Sequence, residues 1–103
     1  MALKPSHSAI TVTTAGTRVQ VSTTATPCAS IYFEGLHTNT GKIYVGDVTV
    51  SSTNYMFELD AKTGATIEGE RLRGTTDELI LSDFYVDSSV NGEKVVVTYL
   101  VKR

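Results

Sequence analysis

Few side chains in this 103-residue chain could act as nucleophiles or bind metals. The single cysteine, Cys28, cannot form an internal disulfide and cannot supply a thiolate zinc site alone. Because free cysteine is among the most buried residue types, we predict that Cys28 packs in the interior. The two histidines, His7 and His37, stand in a predicted arm and a predicted turn, and nothing in the sequence links either to Cys28 as a base.

Four aspartates at the ends of predicted strands are the other chemical candidates: Asp47, Asp60, Asp83 and Asp87. Loop carboxylates can bind Ca²⁺, but these lack the D-x-D-x-D-G spacing of a calcium loop. Capping of turns is the simpler interpretation. No G-x-S-x-G motif presents a serine on a strained turn. We therefore predict that the chain is not an enzyme and has neither a metal site nor a cofactor.

Tyrosines are candidates for contact with a partner, because an apolar ring with a solvent-exposed hydroxyl suits protein interfaces. Period-two alternation leaves Tyr32, Tyr44, Tyr85 and Tyr99 as candidates for outer faces, with coverage of a second sheet face as the alternative for each. Aromatic platforms also serve carbohydrate-binding modules, but the chain has no Trp, so protein contact is favoured over sugar binding.

The polar segment from residue 69 to residue 77 and the N-terminal segment add further candidates for partner contact. Together with the tyrosines they give one predicted interaction surface, made of Lys4, Pro5, His7, Tyr32, Tyr44, Arg71, Arg73 and Tyr85.

Composition limits the classes of partner. Nine Lys and Arg against eleven Asp and Glu give a net charge of −2, so we expect no nucleic-acid partner. No window approaches the ~20 apolar residues of a membrane-spanning helix, so we expect no membrane partner. The N-terminus has no signal-peptide pattern, and we expect synthesis in the cytoplasm.

Apolar and polar residues alternate through most of the chain, which is typical of half-buried strands. The pattern predicts a first hairpin from strands at residues 8–13 and 17–21, and an antiparallel pair from 29–36 and 42–45. Further strands are predicted at 55–59, 65–68, 78–86 and 94–101, with Asp83 interrupting one and Asn91-Gly92 predicting a hairpin. The predicted core positions are Ile10, Val19, Ile31, Phe33, Ile43, Val45, Phe57, Leu79, Val95, Val97 and Tyr99.

These elements predict an all-β fold of about eight short strands, an antiparallel β-sandwich of jelly-roll type. Residues 1–8 are predicted to form a flexible N-terminal arm, and residues 9–103 a single domain.

Two motifs carry a family resemblance: T-N-T-G-K-I-Y-V-G-D at Thr38–Asp47 and L-S-D-F-Y-V-D at Leu81–Asp87. With the Ser/Thr-rich segment between them and the N-G turn after them, the chain resembles small virion structural proteins of tailed double-stranded DNA bacteriophages. The resemblance covers roughly Thr17 to Val101, and Phe84 stands where the family pattern has isoleucine.

The resemblance implies a β-sandwich on a phage particle, made in the host cytoplasm and located in the virion. It implies a capsid cement (decoration) protein that binds the major capsid protein, or alternatively a tail or baseplate component that binds tail proteins. Because cement proteins often sit on threefold axes, it also implies a homo-oligomer, with a trimer favoured. A glycan-binding module and a small cupin-type enzyme are the alternatives from other classes, and two isolated histidines do not supply a cupin's ligands.

Overall fold

A computed structural model of the chain describes residues 3–68, 71–72, 75–76 and 79–102, with side chains for residues 5–68 and 79–101. Its strands are β1 (Leu3–Val12), β2 (Val19–Gln20), β3 (Pro27–Gly35), β4 (Ile43–Gly46), β5 (Phe57–Leu59), β6 (Gly64–Glu68), β7 (Arg71–Leu72), β8 (Thr75–Thr76), β9 (Leu79–Ile80), β10 (Tyr85–Ser88) and β11 (Glu93–Lys102). A short 3₁₀-helix, Leu81–Asp83, lies between β9 and β10. The described residues contain no α-helix.

The strands form two antiparallel sheets that pack face to face. Sheet A has the order β1-β11-β3-β6, with β9 also paired to β3, and sheet B has the order β2-β10-β4-β5. Strands β7 and β8 pair only with each other. The predicted all-β antiparallel sandwich is thereby confirmed.

Strand β9 continues the edge of sheet A that β6 begins. Glu68 at the end of β6 lies opposite Ser30, and Leu79 at the start of β9 lies opposite Cys28, so one residue of β3 separates the two partners. Strands β6 and β9 can therefore be counted as one edge strand, which the β7-β8 pair interrupts along the sequence. Counted in this way, each main sheet has four strands.

The core lies between the inner faces of the two sheets. Ile31 and Phe33 of β3 and Val95 and Val97 of β11 are fully buried there, because every second residue of a strand points inward. All the predicted core positions belong to this cluster or pack against it, which confirms them.

Both predicted hairpins at the start of the chain are wrong. Strand β1 pairs with β11 and β2 with β10, so the turn at Ala15-Gly16 leads from one sheet to the other. The same is true of β3 and β4, which lie in different sheets. Turn residues fix a reversal of the chain, but they do not determine which sheet the next strand joins.

The Asn91-Gly92 hairpin is also wrong for this reason. Gly92 has the positive φ of 80° that the motif predicts, yet β10 and β11 on either side belong to different sheets. By contrast, the interruption predicted at Asp83 is present as the 3₁₀-helix that separates β9 from β10.

The predicted domain boundary at residue 9 requires correction. Strand β1 begins at Leu3 and pairs residue by residue with β11 as far as Val12. Residues 3–8 are therefore an edge strand of sheet A and not an arm. Alternation was hard to detect in this segment because no apolar residue between Pro5 and Ala9 marks an inner face.

Candidate interaction surfaces

Three predicted surface residues meet on the outer face of sheet A. Strand pairing places His7, Thr98, Tyr32 and Thr66 side by side in one row across β1, β11, β3 and β6. Pro5 lies in the next row, opposite Leu100. Pro5 and Tyr32, which are 27 positions apart in the sequence, thus lie in neighbouring rows of one face.

This outer face is a regular array of mostly uncharged side chains. Its three rows, from β1 to β6, are Ala9-Val96-Glu34-Gly64, His7-Thr98-Tyr32-Thr66 and Pro5-Leu100-Ser30-Glu68. Within these three rows Glu34 and Glu68 are the acidic residues, and the exposed Lys94 lies opposite Thr11 in the row beyond Ala9 and Val96. Aliphatic, aromatic and hydroxyl side chains supply the rest, a composition typical of protein contact surfaces.

Tyr32 lies flat on this face. A Cβ added to Gly64 would overlap the Tyr32 ring, so the ring occupies the space that the glycine leaves on the neighbouring strand. The Tyr32 hydroxyl donates to Glu34 Oε1 at 3.3 Å. Desolvation, followed by the charge of Glu34, raises the pKa of the Tyr32 phenol, so its hydroxyl stays protonated.

Tyr44 does not belong to an exposed surface, contrary to prediction. It is only 7% exposed, and its ring packs on Tyr55 with centroids 5.1 Å apart. The segment from Asp47 to Met56 folds back over the outer face of sheet B and buries Val50 against Gly46. Period-two alternation in the predicted strand 55–59 would place Tyr55 on the same face as the core residue Phe57, whereas Tyr55 covers Tyr44 from outside.

A small polar network secures the edge of sheet B next to Tyr55. The Tyr55 hydroxyl donates to Glu58 at 2.9 Å, and Lys42 Nζ lies 3.4 Å from the other oxygen of Glu58 while also pairing with Asp60. Hydrogen bonds to Asp60 and Glu58 raise the pKa of Lys42, which keeps the ammonium charged. The network is exposed, so we assign it a modest effect on stability.

Tyr85 lies half-buried on the outer face of sheet B, between two adjoining cavities that share Val48. One cavity is lined by Gln20, Asp47, Ser82 and Asp83, and the other by Gly16, Thr17 and Arg18. The resulting groove therefore has an aromatic floor, acids at one end and a guanidinium at the other.

The remaining predicted surface residues are located only in part. Lys4 lies in β1 and Arg71 in β7 by backbone position, while Arg73 falls outside the described residues. Strand β7 pairs only with β8, and not with any of the strands that contain His7 and Tyr32.

The candidate nucleophile and metal ligands have structural roles. Cys28 is fully buried, its thiol donates to the Thr26 carbonyl at 3.3 Å, and burial raises the pKa of the thiol. Asp47 accepts hydrogen bonds from the amide and hydroxyl of Thr49, and these bonds lower the pKa of its carboxyl. Within the part of the chain that the structure describes, no three His, Cys, Asp or Glu residues are grouped as a metal site would require.

Two carboxylates are buried, which the sequence analysis did not predict: Asp87, which it interpreted only as a cap of a turn, and Glu93. Asp87 is 2% exposed and accepts hydrogen bonds from the amides of Gly16, at 2.9 Å, and Ser88, at 2.8 Å. Glu93 is 5% exposed and accepts from the amides of Gly41, at 2.7 Å, and Thr40, at 3.3 Å. Glu93 continues the inward alternation of Val95 and Val97, but the predicted strand began only at residue 94. Asp87 lies on the outer face of sheet B with Tyr85, so its burial depends on the turn that covers it.

Among the described residues no helix is long and apolar enough to cross a membrane. Comparison of the chain with family models, curated proteins and solved structures found no match.

Proposed function

We propose that the protein is a virion structural protein of a tailed phage, and specifically a capsid cement protein that binds the major capsid lattice. The observation that supports this proposal best is the outer face of sheet A, where Pro5, His7 and Tyr32 lie in adjacent rows of a mostly uncharged array. Apart from Glu34, Glu68 and Lys94, such a face can lie against a broad protein surface without burying charge.

The motifs behind the family resemblance have a consistent structural role, which adds support. The side-chain amide of Asn39 donates to the Lys94 carbonyl at 2.7 Å, and its oxygen accepts from the Lys94 amide at 3.0 Å. Gly41 in the same turn donates to Glu93. The N-T-G motif therefore fastens the β3-β4 turn to β11, as expected of a motif that specifies a fold.

We also infer that the sandwich is a jelly roll. With β6 and β9 counted as one strand, eight strands lie in two sheets, and each strand is followed by one in the other sheet except at β4-β5. Jelly rolls are a recurrent architecture of viral shells, although they also occur in lectins and cupins. The architecture is therefore compatible with the proposal, and the outer face of sheet A supports it more specifically.

The oligomeric state and location belong to the proposal as expectations from the resemblance: a homo-oligomer, with a trimer favoured, in the virion. A tail or baseplate component is the runner-up and would use the same face on tail proteins. A glycan-binding module is the other candidate, favoured by the groove around Tyr85.

Re-binding to capsids tests the proposal. Particles lacking the protein should lose DNA on mild heating, and adding back the purified chain should restore their resistance. Thr98→Lys places a charge in the middle of the outer face of sheet A, so this variant should fail to restore it. Tyr85→Lys is the matched control on sheet B and should restore it fully.

Two results would contradict the cement function: heat resistance that does not depend on the protein, and full rescue by Thr98→Lys. Loss of saccharide binding in Tyr85→Lys, with capsids unaffected by either variant, would instead support the glycan-binding module.

A further inference from the structure

The outer edge of β1 differs from the other sheet edges in the described part of the chain. Strand β2 at one edge of sheet B has two residues, β5 at the other edge has three, and the far edge of sheet A is interrupted between β6 and β9. Short or interrupted edges are the usual protection against unwanted strand pairing. Strand β1 has ten residues and pairs with β11 on one side only.

Hydrogen-bond directions show which residues of β1 face outward. The Val12 carbonyl accepts from the Gly92 amide at 2.8 Å, so the backbone of Val12 faces β11. The Lys94 carbonyl accepts from Leu36 on the β3 side, so Val95, the partner of Ile10, faces β1. Because this direction alternates along an antiparallel strand, residues 3, 5, 7, 9 and 11 present their backbone groups to the free edge.

The outward edge carries one of the usual protections, Pro5, which removes one N–H donor from it, and no charged residue from Pro5 onward. From Pro5 to Val12 the chain has no Asp, Glu, Lys or Arg, the residues that most often guard an edge. Pro5 occupies an outward position, where its missing N–H does not weaken the pairing with β11. His7, Ala9 and Thr11 all keep an outward N–H, and their side chains are exposed.

We propose that the β1 edge binds the β1 edge of a second copy of this chain, antiparallel and about a twofold axis at His7. Residue 7 is the midpoint of the outward residues 3–11, so this register uses the whole edge. Pro5 then lies opposite Ala9 of the partner copy, and Ser6 opposite Ser8. No Asp, Glu, Lys or Arg lies opposite a residue of like charge in this register.

The pairing would join two A sheets into one continuous sheet and double the outer face described above. Closed twofold pairs are the commonest form of self-association, and they leave no further open edge on β1. The inference does not depend on a virion function. A twofold pair is also a different assembly from the trimer that the family resemblance implies, so the measured mass separates the two.

The molar mass of the wild-type chain in solution, from light scattering after size exclusion, should be twice the 11.1 kDa of one chain. His7→Lys places two ammonium groups together at the axis and should weaken dimerisation at least tenfold. Thr98→Lys adds the same charge on β11, one strand away from the proposed interface, and should leave the dimer intact. Ala9→Pro, which removes an outward N–H without removing a bond to β11, should give a folded monomer.

Disulfide trapping tests the register. Facing residues of a hydrogen-bonded antiparallel pair have Cα atoms about 5.5 Å apart, within the range that a disulfide spans. His7→Cys should therefore form a covalent dimer on mild oxidation, whereas Thr98→Cys should stay monomeric on a non-reducing gel. A monomeric or trimeric wild-type chain, or equal cross-linking of the two cysteine variants, would overturn the proposal.

Discussion

At the scale of single residues, backbone conformation and side-chain hydrogen bonds determine the effects of several residues that the alternation pattern does not explain. Lys62 has a positive φ of 67°, a conformation that side chains with a Cβ rarely adopt. It occupies the third position of the turn in which the Thr63 amide donates to the Asp60 carbonyl at 3.1 Å. Type II turns favour Gly at this position.

Lys62→Gly should therefore stabilise the protein. Relief of the left-handed conformation outweighs the extra freedom of glycine in the unfolded chain, and we expect a net gain of about 0.5 to 1 kcal/mol in the free energy of unfolding. Urea denaturation measures it. Lys62→Ala removes the same side chain but retains the Cβ, so an equal gain in that variant would refute the backbone explanation.

The Asp47 carboxylate gives a prediction about pH. Hydrogen bonds from the Thr49 hydroxyl and amide lower its pKa in the folded state, so they stabilise the fold above the unfolded value of about 3.9. This contribution is lost as the pH falls through the lowered folded-state pKa. In Thr49→Val the pKa of Asp47 should rise toward the usual value, as carbon-detected NMR titration would show. Thr53→Val is the control and should leave the pKa of Asp47 unchanged. An unchanged pKa in Thr49→Val would show that the Thr49 hydroxyl does not cause the shift.

At the scale of elements, the sequence predicted strands better than their partners. Strand β3 was recognisable because Ile31 and Phe33 alternate with Tyr32 and Glu34. The strands that pair with β3 could not be recognised in this way. The Ser/Thr-rich turns on either side of β3 are equally compatible with a hairpin and with a crossing to the other sheet. The buried acids Asp87 and Glu93 hold two such crossings in place. Glu93 follows the alternation of Val95 and Val97, whereas no local pattern predicts the burial of Asp87 on the outer face of sheet B.

Removal of the Glu93 carboxylate tests this role. Glu93→Ala would leave the amides of Thr40 and Gly41 without acceptors beside the core, and we expect a loss of about 2 to 3 kcal/mol in the free energy of unfolding. Glu93→Gln keeps one acceptor oxygen and should lose less. Glu68→Ala, at an exposed strand end, is the matched control and should stay within about 0.5 kcal/mol of the wild type. Equal stability of Glu93→Ala and the control would show that the turn does not need the carboxylate.

At the scale of the whole molecule, the interaction surface depends on strand order. His7 and Tyr32 share a row only because β1 and β3 both pair with β11, an arrangement that joins the two ends of the chain. The sequence indicated three of the residues on this face individually, Pro5, His7 and Tyr32. It misplaced Tyr44, because the covering by Tyr55 depends on how the segment after β4 folds back over sheet B.

The copy number per virion, measured separately in head and tail fractions by quantitative mass spectrometry, tests the proposed function most directly. A protein that cements the capsid lattice should be present in hundreds of copies, all in the head fraction. A handful of copies confined to the tail fraction, or none in purified particles, would contradict it.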